Sequence, residues 1–119
     1  MIAWFEIPVI DLERATAFYS GVFELTFEHE DIGDGKPKSL FPAGSGVAGA
    51  LSQGSDWTPS RDGVILYFSG GDDLQDVLDR VVAAGGSIVE PKQTVDATSG
   101  YWARFGDTEG NVLGLLSPH

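Results

Sequence analysis

The sequence predicts an α+β fold made of two βαβββ modules. Three observations carry it. A strand-like run precedes each of two amphipathic helices, three strand-like runs follow each helix, and the order repeats at a displacement of 62 residues, with Asp11-Leu12 lining up with Asp73-Leu74. That displacement is about half of the 119 residues, so the repeat reads as a duplication and not as a solenoid array.

The first module, 1–52, opens with Ile2-Ala-Trp-Phe-Glu-Ile-Pro-Val9, an aromatic and β-branched run that suits a strand. Pro8 sits near its end, where a missing ladder donor matters little. Asp11 then caps a helix whose apolar stripe is Leu12, Ala15, Phe18, Tyr19, Val22 and Phe23, with Glu13, Arg14 and Thr16 on the other face. Leu25 to Glu30, Lys38 to Pro42 and Val47 to Leu51 read as short strands. Asp31-Ile-Gly-Asp-Gly35 and Ala43-Gly-Ser-Gly46 separate them as turns.

Residues 53–62 have loop composition and form the linker. In the second module, 63–119, Val64 to Phe68 is the first strand and Asp72 or Asp73 the helix cap. Leu74, Val77, Leu78, Val81 and Val82 make the second stripe, which stops at Gly85-Gly86. Ser87 to Glu90, Tyr101 to Phe105 and Asn111 to Leu116 supply three strands, the last two joined by the turn Asp107-Thr-Glu-Gly-Asn111. A ferredoxin-like sandwich also alternates strands with two helices, and periodicity alone does not separate the two. Three strands after each helix favour the paired modules.

Composition narrows the function. Seven Lys and Arg against 18 Asp and Glu give a net charge of -11, which argues against nucleic acid or an anionic membrane as partner and for a neutral or cationic small ligand. The absence of cysteine removes disulfides, thiolate zinc sites, iron–sulfur clusters and cysteine nucleophiles. No run approaches the roughly 18 apolar residues of a membrane span, and the first residues lack the pattern of a secretory leader, so a cytoplasmic protein is expected.

Ile7-Pro-Val-Ile-Asp-Leu-Glu-Arg-Ala-Thr-Ala-Phe-Tyr19 resembles the first strand and helix of the vicinal oxygen chelate superfamily, which includes glyoxalase I, bleomycin-resistance proteins and extradiol dioxygenases. Asp107-Thr-Glu-Gly-Asn-Val-Leu-Gly-Leu115 resembles the Asp-Pro-x-Gly-Asn turn and last strand of that group, and Ala84-Gly-Gly86 follows the second helix as expected. The resemblance spans 1–119 as a single domain. It implies a curled mixed sheet around a cup-shaped cavity, commonly in a homodimer. It also implies a divalent metal held by His, Glu or Gln on the first and last strand of each module. The corresponding positions here are Trp4, Val64, Gly114 and a residue within Val47 to Leu51, none with a side-chain ligand. No protein-held metal or other cofactor is therefore expected.

Glu6 is the acid of most interest. It shares a strand face with Trp4, which the resemblance places in the cup, and it lies between Phe5 and Ile7. Burial would raise its pKa and suit it to general-base work or to gripping a ligand amine; the plainer reading is an ion pair with Arg104 or Arg14. Trp4 and Trp102 are candidate binding walls, and Arg104, on the face of Trp102, can meet Glu6 or an anionic ligand. His29 in Phe27-Glu-His-Glu30 points away from both acids and reads as a solvated edge residue. Two functions stay open: a small-molecule-binding protein of the bleomycin-resistance type, or a lyase, isomerase or dioxygenase-like enzyme using Glu6 or a metal on substitute ligands.

Overall fold

Asp11 and Asp73 do what short acids do at a helix start. In the computed structural model, which describes residues 2–30, 37–42, 44, 48–55 and 58–119, both are extended N-caps. Asp11 accepts a hydrogen bond from the Arg14 N–H (3.0 Å) and Asp73 from the Gln75 N–H (2.9 Å), filling donors that the helix itself leaves open. The helices are α1 (Leu12–Phe23) and α2 (Leu74–Ala83). Each buries the stripe its spacing announced, except that Phe23 is half-buried and Val82 exposed at 58%. Thr16, read with the outer face, donates to the Leu12 carbonyl (2.6 Å) and contacts the Ser39 hydroxyl (2.7 Å).

The strands are β1 (Phe5–Val9), β2 (Glu28–Glu30), β3 (Lys38–Leu40) and β4 (Gly49–Gln53), then β5 (Tyr67–Ser69), β6 (Ser87–Asp96), β7 (Gly100–Gly106) and β8 (Val112–Ser117). They form two four-stranded mixed sheets of the same order, β1-β4-β3-β2 and β5-β8-β7-β6. In each, the first strand runs parallel to the last and the remaining pairs are antiparallel. The paired βαβββ architecture is thus as expected. The sheets do not close, and among the described residues no ladder joins them.

The differences lie at strand ends. β5 is shorter than Val64 to Phe68, although the Gly114 N–H still donates to the Leu66 carbonyl (2.8 Å). β6 runs well past Glu90, through Pro91 to Asp96. A proline reads as a break, but β6 is a sheet edge and its register shifts between Glu90 and Gln93, so Pro91 costs no regular ladder bond. Gln53, assigned to the linker, ends β4, and its side-chain oxygen accepts from the Leu12 N–H (2.7 Å). The turn at 31–35, part of the turn at 43–46, and Trp57 lie outside the described residues.

One core serves both halves. Ile7, Val9 and Leu51 from one sheet and Ala103, Phe105, Leu113 and Leu115 from the other pack with both helix stripes. Phe68 of β5 reaches into the first half, with ring centroids 5.8 Å from Phe5, 5.2 Å from Phe23 and 5.9 Å from Phe41. Because strand side chains alternate, the residues between these core positions define the opposite, open face of each sheet.

Candidate functional site

On the open face of the first sheet stand Glu6 and Pro8 of β1, Ala50 and Ser52 of β4, and Lys38 of β3. Glu6 does not pair with Arg104 or Arg14. Its Oε1 lies 3.0 Å from Lys38 Nζ and accepts from Ser52 Oγ at 2.7 Å. The Lys38 and Glu6 side chains are 10% and 23% exposed, so the acid that sequence reading pictured in an apolar wall has a largely desolvated cation against it. Register explains the pairing: Lys38 lies opposite Ser52, and Ser52 opposite Pro8, two residues along from the Glu6–Ala50 pair and so on the same face. Glu6, Pro8, Ser60, Val64, Leu66 and Val112 line a small cleft of about 90 Å³ where the two halves meet.

The open face of the second sheet differs in chemistry. It carries Tyr67 of β5, Trp102 and Arg104 of β7, and Gly114 and Leu116 of β8. Arg104 Nε donates to the Tyr67 hydroxyl (2.8 Å), and the guanidinium carbon lies 5.2 Å from the Trp102 ring centroid and 5.8 Å from that of Tyr67. A shallow trough of about 420 Å³ adjoins it, bordered by Tyr67, Ser69, Ser99, Leu116 and Pro118.

The remaining sequence candidates take no part in these hydrogen bonds and ring contacts. Trp4 precedes β1 and is 47% exposed. His29 is exposed on the edge strand β2 with Nδ1 3.2 Å from the Ser39 hydroxyl. Arg14 is held by Glu109, a residue the sequence reading passed over as a turn position: Arg14 Nε donates to Oε2 (2.8 Å) and a terminal nitrogen to Oε1 (3.0 Å). Glu109 also accepts from the Ile10 and Asp11 N–H groups (2.9 and 2.8 Å) and from Thr108 Oγ1 (2.7 Å). Burial alone would raise its pKa, but these donors outweigh it and hold the carboxyl at about 2. In the same turn Asp107 accepts three backbone N–H bonds on Oδ1, and on Oδ2 bonds from Tyr19 Oη (2.7 Å) and the Asn111 amide (2.9 Å). Burial and the neighbouring Asp107 carboxylate push the Tyr19 phenol well up, so it stays a donor. Gly110 takes φ +105 in that turn, a conformation side chains resist. The turn therefore acts as a clasp between the halves.

The positions that the resemblance gives to metal ligands can be tested directly. Val64 is 91% exposed ahead of β5. At Gly114 the space into which a side chain would project is filled by the Tyr67 ring. Among the described residues no group of three or more His, Asp or Glu is placed to hold a metal ion, and Glu6 is already engaged by Lys38 and Ser52. The described residues at these positions do not fit a resident divalent metal. Nor is any helix long and apolar enough to cross a membrane among the described residues.

Comparison with known proteins supports the fold. A fosfomycin resistance protein from Listeria monocytogenes, solved as a glutamate-to-glutamine mutant with Mn(II) and a dihydroxypropylphosphonic acid, is 17% identical, with 100% of this chain and 92% of that chain covered and a TM-score of 0.77. A glyoxalase-related enzyme from Fulvimarina pelagi is 16% identical over 98% of this chain and 87% of that one, TM-score 0.76. A glyoxalase I mutant from Zea mays is 18% identical over 97% of this chain but only 44% of that one, TM-score 0.77. At these identities the likeness is one of fold. No curated protein matches the chain. The family model described as glyoxalase/bleomycin resistance protein/dioxygenase superfamily matches residues 1–115, and the chain belongs to that superfamily.

Proposed function

We propose that this chain is a small-molecule-binding member of its superfamily that works without a protein-held metal, its ligand lying against the open sheet faces. The observation that carries the reading is Gly114. A position the superfamily uses for a ligand side chain has none, and the ring of Tyr67 occupies the space. Trp4, Glu6, Trp102 and Arg104 remain the proposed ligand contacts. Elemental analysis of protein purified without chelator tests the reading, together with thermal melts in Mn(II), Zn(II) and Ni(II). No stoichiometric metal and no metal-dependent rise in Tm are expected, since a specific ligand of the native state must raise it. A stoichiometric ion would overturn the reading.

A second reading is an enzyme that uses Glu6. It is favoured by the convergence of Lys38 and Ser52 on one oxygen of a carboxylate that lines the inter-half cleft, an arrangement that fixes the acid's orientation. Turnover of a ligand that Glu6→Gln abolishes while binding persists would select this reading. Weakened binding without any turnover selects the first.

A further inference from the structure

We propose that Arg104 is the anion anchor of a site on β7 and β8 for a small planar carboxylate. The inference rests on the metal-free reading and deepens it: a guanidinium supplies the positive charge that a metal ion would otherwise bring. Arg104 is a positioned side chain. Its Nε is taken by the Tyr67 hydroxyl at 2.8 Å, and the rings of Trp102 and Tyr67 lie 5.2 and 5.8 Å from its central carbon. With Nε engaged, the edge that remains is the pair of terminal nitrogens, whose parallel N–H groups match the two oxygens of a carboxylate. Among the described residues neither terminal nitrogen has a hydrogen-bond or ion-pair partner. Glu90 is the acid opposite Arg104 in the ladder, but its Oε2 accepts from the Gln93 amide (3.1 Å).

The surroundings select a flat apolar body behind the charge. The Tyr67 ring covers Gly114, across the ladder from Arg104, so an aromatic ring flanks the guanidinium there as Trp102 does, and Trp102 faces Leu116, which is 46% exposed at the border of the trough. This ligand class differs from the neutral or cationic one that net charge suggested. The acids behind that charge include Asp11, Asp73 and Asp107, which serve caps and turns, while Glu6 is matched by Lys38.

The test titrates benzoate, benzamide and benzamidine into the whole chain, with and without EDTA, followed by amide and indole NMR shifts. Benzoate should bind about tenfold or more tightly than either isostere. Arg104→Gln should remove that advantage and leave benzamide unmoved, with an unchanged spectrum away from the site as the check on folding. Tyr67→Phe, which keeps the ring and frees Nε, should weaken benzoate by about threefold to tenfold, and Glu90→Gln should strengthen it. Equal binding of benzoate and benzamide would overturn the assignment, as would an Arg104→Gln chain with undiminished benzoate affinity or no saturable shift up to about 10 mM. Benzoate binding that EDTA abolishes and Mn(II) restores would bring down the metal-free reading instead.

Discussion

At one ladder position the two halves place an aromatic ring against a glycine, Phe5 over Gly49 in the first sheet and Tyr67 over Gly114 in the second, yet the rings end on opposite sides of their sheets. Phe5 turns toward the helices and packs on Phe41 and Phe68. Tyr67 turns to the open face, 39% exposed, and its hydroxyl holds Arg104. The cause is a change of register. At the helix caps the halves are displaced by 62 residues, which would equate Phe5 with Tyr67, but the core-facing strand residue nearest the cap is Val9 in β1, two before Asp11, and Phe68 in β5, five before Asp73. A strand's faces depend only on odd or even position, so this odd offset of three decides which residue of the repeat faces solvent. The first half spends its ring on the core and keeps a matched ion pair outside. The second half keeps Phe68, Phe105 and core aliphatics inside and presents Tyr67, Trp102 and a guanidinium outside.

The largest expected effect falls on the clasp that lets the halves be compared as one body. Glu109 is 7% exposed and held at about 2 against an ordinary 4.5. A shift of that size corresponds to about 3 kcal/mol of preference for the ionised, folded form. Glu109→Ala should therefore cost about 3 kcal/mol in urea unfolding, and it tests whether the halves then melt separately. A depressed carboxyl stabilises above its unfolded pKa. The wild-type contribution should be complete above about pH 4.5 and fall away as pH drops toward 2, a slope that Glu109→Gln should flatten. A variant as stable as wild type would mean that the clasp is ornamental and that the shared aromatic core alone joins the halves.

Next in size is the pair of glycines itself. An added methyl at Gly49 meets the Phe5 ring, which is hemmed in by Phe41 and Phe68. At Gly114 it meets the Tyr67 ring, which has solvent to swing into. Gly49→Ala should cost about 2 to 3 kcal/mol and Gly114→Ala about 1, measured by the same unfolding curves. Equal costs would erase the distinction drawn between an inward and an outward ring. Tyr67→Ala should rescue Gly114→Ala, since it removes the atoms in conflict.

How much of this was legible follows from which interactions are local. The order of elements, both Asp caps and the Gly110 turn are written in residues a few positions apart, and they stand as read. β6 beyond Pro91 was hidden because edge position is a property of the sheet. At the site, Glu6, Trp102 and Arg104 could be singled out by residue type and alternation. Their partners, Lys38 and Tyr67, could not, because each pairing depends on cross-strand register between segments far apart in sequence. Glu109 was the hardest. A glutamate in a hairpin turn looks like solvent dressing, and only the tertiary approach of Ile10, Asp11 and Arg14 makes it a buried acceptor.

The ion pair on the first open face gives an intermediate effect. Lys38→Met leaves Glu6 beside Ser52 without its cation in a partly desolvated place, for a cost of about 1 to 3 kcal/mol, and Glu6→Gln added to it should recover part of that loss. An additive double variant would mean that Lys38 acts through packing of its aliphatic stem and that the first half's open face holds no real charge pair.

The smallest stability effect belongs to the second open face. Arg104 engages groups near solvent, a single hydrogen bond to a tyrosine that is itself 39% exposed and two ring contacts. Interactions of this kind contribute little to folding, so Arg104→Met should change unfolding free energy by about 0.5 kcal/mol or less, although it removes a charge and five donors. The contrast with Lys38→Met is the point of measuring both. A charge that stabilises its own fold is held by structure alone, whereas a guanidinium held by a phenol hydroxyl beside an indole, if idle in stability, fits the proposed role as an anion anchor. If Arg104→Met were as costly as Lys38→Met, the second open face would be one more structural charge cluster, and the difference between the halves would be one of packing.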